Sequence, residues 1–385
     1  MGTDVGMDGG AGMDVVREWV SLPSPTAGPA GHGSQPCQGL YHRPAGQGGS
    51  GAGGGAPSVA FVAAHYEVDF AEHYLGPLLA ARGFGFLGWN TRYRGNDAFF
   101  RLEHALVDIG VGVRWLREVA GVDVVVLLGN SGGGSLMAAY QSQATSPSPL
   151  LTRPDAVLDL PPGDLYVSLN AHLGRPEVLT AWLDPSVVDE EGPLTVDPSL
   201  DMFDQQHGPP FEPAFLSRYR AAQEARNDRI TGWAHDELAR LRAAGASDRL
   251  FNVHRTWADP RFVDLDIQPS HRQAGCYAGD PRRANYGPYG LARATTLRTW
   301  LSMWSLAESP CRGALHLPHV QVPSLVVQSL ADRGVFPGDA HAIHDALGAA
   351  DRALRFVPGE HYFEDGTRPA VADLLKAWVE GTLGA

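Results

Sequence analysis

The stretch VVVLLGNSGGGSLMAAY, residues 124–140, passes from an apolar, β-branched run into a helical pattern through one serine and three consecutive glycines. Each glycine disfavours a helix by up to about 1 kcal/mol relative to alanine, so three at one junction point to a backbone constraint rather than to chance. Gly129-Asn130-Ser131-Gly132-Gly133 fits the pattern G-x-S-x-G, with a strand expected before it and a helix opening at Ser131. A serine on so sharp a turn takes a strained backbone, and the positions two before and two after it approach too closely for side chains. Gly132 leaves its N–H open at the helix start, where the dipole favours developing negative charge.

Phosphate-binding readings of these glycines fail on context. A Walker loop needs a lysine after its glycines, and the only lysine in the chain is Lys376. The letters GFGFLG at 83–88 fit a dinucleotide fingerprint, but they stand between a helix and the strand that follows it, whereas that motif must follow a strand and open a helix. They read instead as a helix C-cap glycine followed by glycines in a strand.

Outward from the serine, strands and helices alternate. Residues 58–65, 84–90, 122–129 and 164–172 read as strands, and 69–83 and 98–119 as helices, the second with apolar residues at three- and four-residue steps. Residues 15–22 and 38–42 read as two earlier short strands, and the tract 44–57 as a flexible glycine-rich loop. The rhythm stops near Gly174 and returns with a strand at 322–332, a helix near 338–348, a strand at 354–359 and a closing helix at 370–383. The expectation is an α/β protein with a mostly parallel sheet covered on both faces. Its core spans 1–175 and 306–385, and a mainly helical lid is inserted at 176–305. That insertion holds one long helical pattern, 213–245, in which Phe215, Tyr219, Ala222, Ile230, Trp233, Leu238 and Leu241 fall near one face interrupted by Arg226.

The chain has 385 residues, 44% of them hydrophobic and 19% charged, with a net charge of −13. Attraction to nucleic acid or to an anionic membrane surface is therefore not expected. Three widely spaced cysteines, Cys37, Cys276 and Cys311, argue against a disulfide framework, and the N-terminus lacks the basic-then-apolar pattern of a signal peptide. The expected location is the cytoplasm, and the oligomeric state is not legible.

A serine hydroxyl needs a base, and the base an orienting carboxylate. The single lysine lies in the closing helix, so histidine must serve. VPSLVVQSLADRGVFP (322–337) and LRFVPGEHYFED (354–365) each pair a strand with a polar residue just past its end. In this the chain resembles the α/β-hydrolase family, whose order is nucleophile, acid, histidine. The resemblance covers about residues 58–172 and 318–385, and it implies Ser131 as nucleophile, Asp332 as acid and His361 as base. Asp339, seven positions on, falls in a helical first turn where an acid serves the dipole. His341 and His344 sit on that helix as a solvated face. His316 and His319, near Cys311, have metal-like spacing, but Pro318 intervenes and no fourth ligand is evident, so no metal or other cofactor is expected.

Gly132 supplies one oxyanion donor. The resemblance places the second in the loop after the strand at 58–65, where AAHYEVDF puts Tyr66 at a position that is commonly glycine, leaving its backbone N–H or its hydroxyl as donor. His65 orients that loop or sits as a core histidine. Arg92 or Arg94, in NTRYRGND (90–97), reads as structural. The implied activity is ester hydrolysis through an acyl-enzyme, on a small-molecule substrate with a bulky apolar group received by aromatic side chains. His65, Asn130, Trp182 and Tyr286 are the candidate substrate contacts, and Arg282, Arg283 and Arg293 are candidate partners for an acidic substrate. Acyl transfer and carbon–carbon bond hydrolysis use the same residues, and a non-catalytic ligand receptor is the alternative of a different class.

Overall fold

A computed structural model describes residues 13–27, 34–46, 56–148, 159–364 and 366–384. Most of the glycine-rich tract, 47–55, lies outside the described residues. Strands β1 (Val15–Ala27), β2 (Ser34–Pro44), β3 (Val59–Ala63), β4 (Gly85–Asn90), β5 (Val124–Asn130) and β6 (Leu165–Leu169) are followed by a separate ribbon of β7 (Leu250–Asn252) and β8 (Ala294–Thr296), then by β9 (Ser324–Ser329) and β10 (Arg352–Val357). The helices are α1 (Gly76–Ala80), α2 (Leu102–Glu118), α3 (Gly133–Thr145), α4 (Arg175–Trp182), α5 (Pro213–Ala243), α6 (Pro281–Asn285), α7 (Leu297–Thr299), α8 (Gly313–His316), α9 (Pro337–Ala346) and α10 (Arg368–Leu383).

Eight strands form one sheet in the order β1-β2-β4-β3-β5-β6-β9-β10. β1, β2 and β4 pair antiparallel, and every pairing from β4 through β3, β5, β6 and β9 to β10 is parallel. Alternate side chains of the central strands go to opposite faces. Val62, Val125, Leu127 and Tyr166 pack with Ile109 and Val113 of α2 and Leu136 of α3. Phe61, Val126, Leu128, Val167 and Val327 pack with Leu79 of α1 and Leu375 and Val379 of α10. Each such side chain contributes about 1.5–3 kcal/mol on burial, which holds the carboxyl ends of the strands, and the loops beyond them, on a rigid frame. This is a doubly covered, mostly parallel α/β architecture. Among the described residues no helix is long and apolar enough to cross a membrane, and the three cysteines are buried free thiols.

Several elements differ from their sequence reading. The helix expected over 69–83 reduces to α1, because side chains take the backbone donors before it: Asp69 Oδ1 accepts from Ala71 N–H at 2.9 Å and His73 Nδ1 from Leu75 N–H at 3.3 Å. The helix expected from 98 starts at Leu102, since Arg101 is extended at φ −138°. In α5 the Arg226 taken as an interruption is fully buried, its Nε and Nη2 on Glu190 at 2.8 and 2.6 Å and its Nη1 on the Asp184 carbonyl at 2.8 Å, whereas Trp233 is partly exposed. Arg92 is structural, with Nε and Nη2 forked onto buried Asp108 at 2.8 and 2.7 Å, while Arg94 pairs with Asp69 on the surface.

Candidate active site

Ser131 follows β5 directly and has φ +56°, a left-handed backbone that a non-glycine residue adopts at a cost of about 1–3 kcal/mol. Its neighbours explain the glycines. A Cβ on Gly129 would come 2.5 Å from Gly134 Cα, one on Gly133 2.4 Å from the Ala64 carbonyl, and one on Gly134 2.4 Å from Ala171 Cβ. The start of α3 is thus pressed between the ends of β3 and β6, and only residues without side chains let the turn close. Ser131 N–H donates to the Leu169 carbonyl at 3.0 Å, tying the turn to β6. Asn130 lies beneath it, fully buried, donating through Nδ2 to the same carbonyl at 2.9 Å and accepting from His73 Nε2 and Tyr74 Oη at 3.1 and 3.2 Å. It supports the turn and does not line the cavity.

Asp332 and His361 stand just past the ends of β9 and β10, buried and joined by Asp332 Oδ2 and His361 Nδ1 at 2.6 Å. Asp332 Oδ1 accepts from the backbone N–H groups of Gly334 and Val335 at 2.9 and 3.0 Å and from Tyr277 Oη at 2.7 Å. Asn170 Nδ2 holds the His361 carbonyl at 2.8 Å. Asp339 instead accepts from Phe336 N–H at 2.9 Å and caps α9. His344 meets Asp345 on the surface, His341 packs on Phe356, and His316 Nε2 donates to the Pro310 carbonyl at 2.8 Å.

Ser131 and His361 line one cavity of about 130 Å³, with His65, Arg175, Trp182 and Tyr277 among its other walls. Trp182 and Trp257 stack at 4.7 Å between centroids, and both line the cavity. Larger hollows of about 530 and 610 Å³ lie against Trp233 and Arg249 and against His104 and Arg298, apart from the serine and its histidine. The Tyr66 side chain points away from the cavity: it is buried, its hydroxyl 3.1 Å from Ser135 Oγ and its ring 5.0 Å from that of Phe100, so only its backbone N–H remains as a donor. Tyr286 is not in the cavity; it is 51% exposed, with the Arg255 guanidinium 4.1 Å over its ring.

The charged residues in the cavity are Arg175 and Glu67, and Arg282 and Arg283 lie exposed elsewhere. Sequence reasoning missed Arg175, Glu67, His172 and the role of Tyr277. Gly174-Arg175-Pro176, a helix start directly after the β6 segment, was the one local signal for Arg175. Arg175 Nη2 donates to Glu67 Oε1 at 3.1 Å. Burial works against the Glu67 carboxylate, but the guanidinium, a hydrogen bond with Asp97 and nearby His65 together outweigh it and hold its pKa down to about 2, while burial and Glu67 together push Asp97 up to about 8. Burial, then Arg175, pushes His172 well below the ordinary imidazole range, and its Nδ1 is buried without a partner among the described residues.

No family model matches the chain, and no curated protein matches it. Among solved structures, the chain is similar to Est1E from Butyrivibrio proteoclasticus at 11% identity and a TM-score of 0.48, over 91% of this chain and 96% of that one. It is also similar to the α/β hydrolase GrgF from Penicillium sp. sh18, at 10% identity and 0.49 over 95% and 98%. A third similarity is to a bacterial brefeldin A esterase, at 16% identity and 0.43 over 99% and 79%. Each is a likeness in the path of the chain at low identity.

Proposed function

We propose that this chain is a serine hydrolase that cleaves a carboxylic ester of a small molecule through an acyl-enzyme. The observation that carries the reading is the pairing of His361 with Asp332 at 2.6 Å, with His361 lining the same cavity that receives Ser131 from its strained turn. With the Nδ1 proton engaged by Asp332, Nε2 is the nitrogen left to accept the Ser131 proton. The serine oxygen then adds to the ester carbonyl carbon. The oxygen that becomes negative is met by the Gly132 N–H and, in the loop after β3, by the backbone of Tyr66. His361 returns the proton to the departing alcohol, and water activated by the same imidazole releases the acid.

Residues 176–305 act in this reading as a lid, contributing Trp182, Trp257, Tyr277 and Leu291 to the cavity. A cavity of about 130 Å³ is well below the roughly 300–1,000 Å³ that houses a drug-sized ligand. A short acyl group therefore suits it better than the bulky one expected from the count of aromatic residues. The test is active-site labelling: a fluorophosphonate probe should modify wild-type protein and not Ser131→Ala, and acetyl and propionyl esters should be turned over faster than octanoyl esters. Wild-type protein left unlabelled by the probe would refute the assignment.

A further inference from the structure

Two hydrogen-bond donors beside the serine turn have nothing to donate to. His65 Nδ1 accepts from the backbone N–H groups of Glu67 and Val68 at 3.2 and 3.1 Å, which places the ring proton on Nε2. Burial, and after it the Arg175 guanidinium, holds the His65 pKa down to about 3, so the ring is a neutral donor at ordinary pH. Nε2 has no hydrogen bond among the described residues, and His65, only 5% exposed, lines the cavity with Ser131. Arg175 is 3% exposed and lines it too. Its guanidinium is fixed by Glu67 and by the rings of Trp304 and Tyr66 at 4.5 and 5.1 Å, yet its Nη1 is likewise without a partner among the described residues.

Both free donors lie near one place. A Cβ on Gly132 would lie 2.7 Å from His65 Nε2 and 3.3 Å from Arg175 Nη1. Because a Cβ sits about 2.5 Å from its own backbone nitrogen, each donor is within about 6 Å of the Gly132 nitrogen. Two hydrogen bonds of about 2.9 Å to one shared oxygen span such a gap. The glycine at 132 is thereby explained as well, since any side chain there would displace these donors. Resting on Ser131 as the nucleophile, we propose that His65 Nε2–H and Arg175 Nη1–H complete the oxyanion hole, donating with the Gly132 N–H to the ester carbonyl oxygen as it becomes negative.

A site that selected anionic substrates would leave its guanidinium charge uncompensated. Here Glu67 compensates it, and what remains is a rigid donor whose field favours charge that develops during reaction. His65 and Arg175 are catalytic residues in this assignment, whereas Glu67 is a positioning residue.

The test uses the full chain carrying Arg175→Met with Glu67→Gln, which removes the donor without stranding a buried carboxylate, alongside Arg175→Lys. On a neutral acetyl ester the double variant should lose about 10²-fold in kcat with KM within about threefold. Its affinity for a trifluoromethyl ketone, which binds as a tetrahedral adduct bearing the oxyanion, should fall in parallel, and Arg175→Lys should recover part of both. An unchanged kcat in folded double variant would overturn the proposal. So would a loss confined to the KM of carboxylate-bearing esters, which would make Arg175 an anion-recognition group. Failure of the underlying reading is separately visible, because Ser131→Ala would then keep wild-type turnover.

Discussion

Asp332 accepts more hydrogen bonds than orienting one imidazole requires. Two come from backbone N–H groups of its own turn, and the third, from Tyr277 Oη at 2.7 Å, reaches in from the segment between β6 and β9. The ring of Tyr277 occupies the space a side chain at 334 would need, a Cβ on Gly334 falling 2.4 Å from its Cζ. The same hydroxyl lies 2.8 Å from His361 Nδ1, so Tyr277 bridges the acid and the base. Tyr277→Phe is therefore expected to lower kcat by about 10-fold or more with KM changed little, since one hydrogen bond to a charged group contributes about 1.5–3 kcal/mol and about 1.4 kcal/mol is a factor of ten. An unchanged kcat in the folded variant would show that the hydroxyl only packs. Ser131 is singled out by its own G-x-S-x-G turn, and Asp332 and His361 by the resemblance that expects polar residues past two strand ends; the structure sets each just past such an end. Tyr277, one aromatic among many between β6 and β9, and Arg175, at a helix start, carry no signature of the tertiary contact that brings them to the cavity.

At the scale of the element, one substitution should have opposite signs in two helices. In α3 a methyl at position 133 would meet the Ala64 carbonyl at 2.4 Å, which neither backbone can relieve without moving β3 or the serine turn. In α5 Gly232 is exposed, and a Cβ there meets nothing within 4 Å. Gly133→Ala should therefore destabilise by about 1–3 kcal/mol through overpacking, despite the helix preference of alanine, whereas Gly232→Ala should stabilise by up to about 1 kcal/mol. Urea midpoints of the two variants against wild type test the pair, and equal shifts of one sign would remove the steric account of the glycine run. The same contrast explains which elements were readable. Strands and helices whose apolar periodicity coincides with burial, such as β5 and α2, could be read from local pattern. α1 was overestimated because Asp69 and His73 use their side chains to take up backbone donors. The buried face of α5 was misjudged because Gln223, Arg226 and Asn227 are buried on it. Arg226 finds its partners at Asp184, Glu190 and His254, far along the chain.

The whole molecule keeps several imidazoles away from water. Burial, first in each case, holds His42, His73 and His316 down at about 4 and His65 at about 3, and drives His172 well below the ordinary range. Freed in an unfolded chain, the same rings titrate near about 6.5. Between the two values the unfolded state binds more protons, so the stability these groups contribute is fully present above about pH 6.5 and is lost as pH falls toward 4. Asp97 works the other way. Raised to about 8, chiefly by burial and then by Glu67, it holds a proton in the folded state that the unfolded chain releases above the ordinary carboxylate range, so its contribution grows on acidification. Glu177 and Asp339, also raised by burial, act in the same direction. The five imidazoles outnumber these three carboxyls, and each net proton taken up on unfolding costs about 1.4 kcal/mol of stability per pH unit. Thermal unfolding followed by circular dichroism should therefore give a Tm that falls steadily from pH 7 to pH 5, before ordinary carboxylates begin to protonate. A Tm that is level or rising across that interval would mean that these rings take up protons while still folded, and that the sheet's flanks around His42 and His73 open more readily than their packing implies.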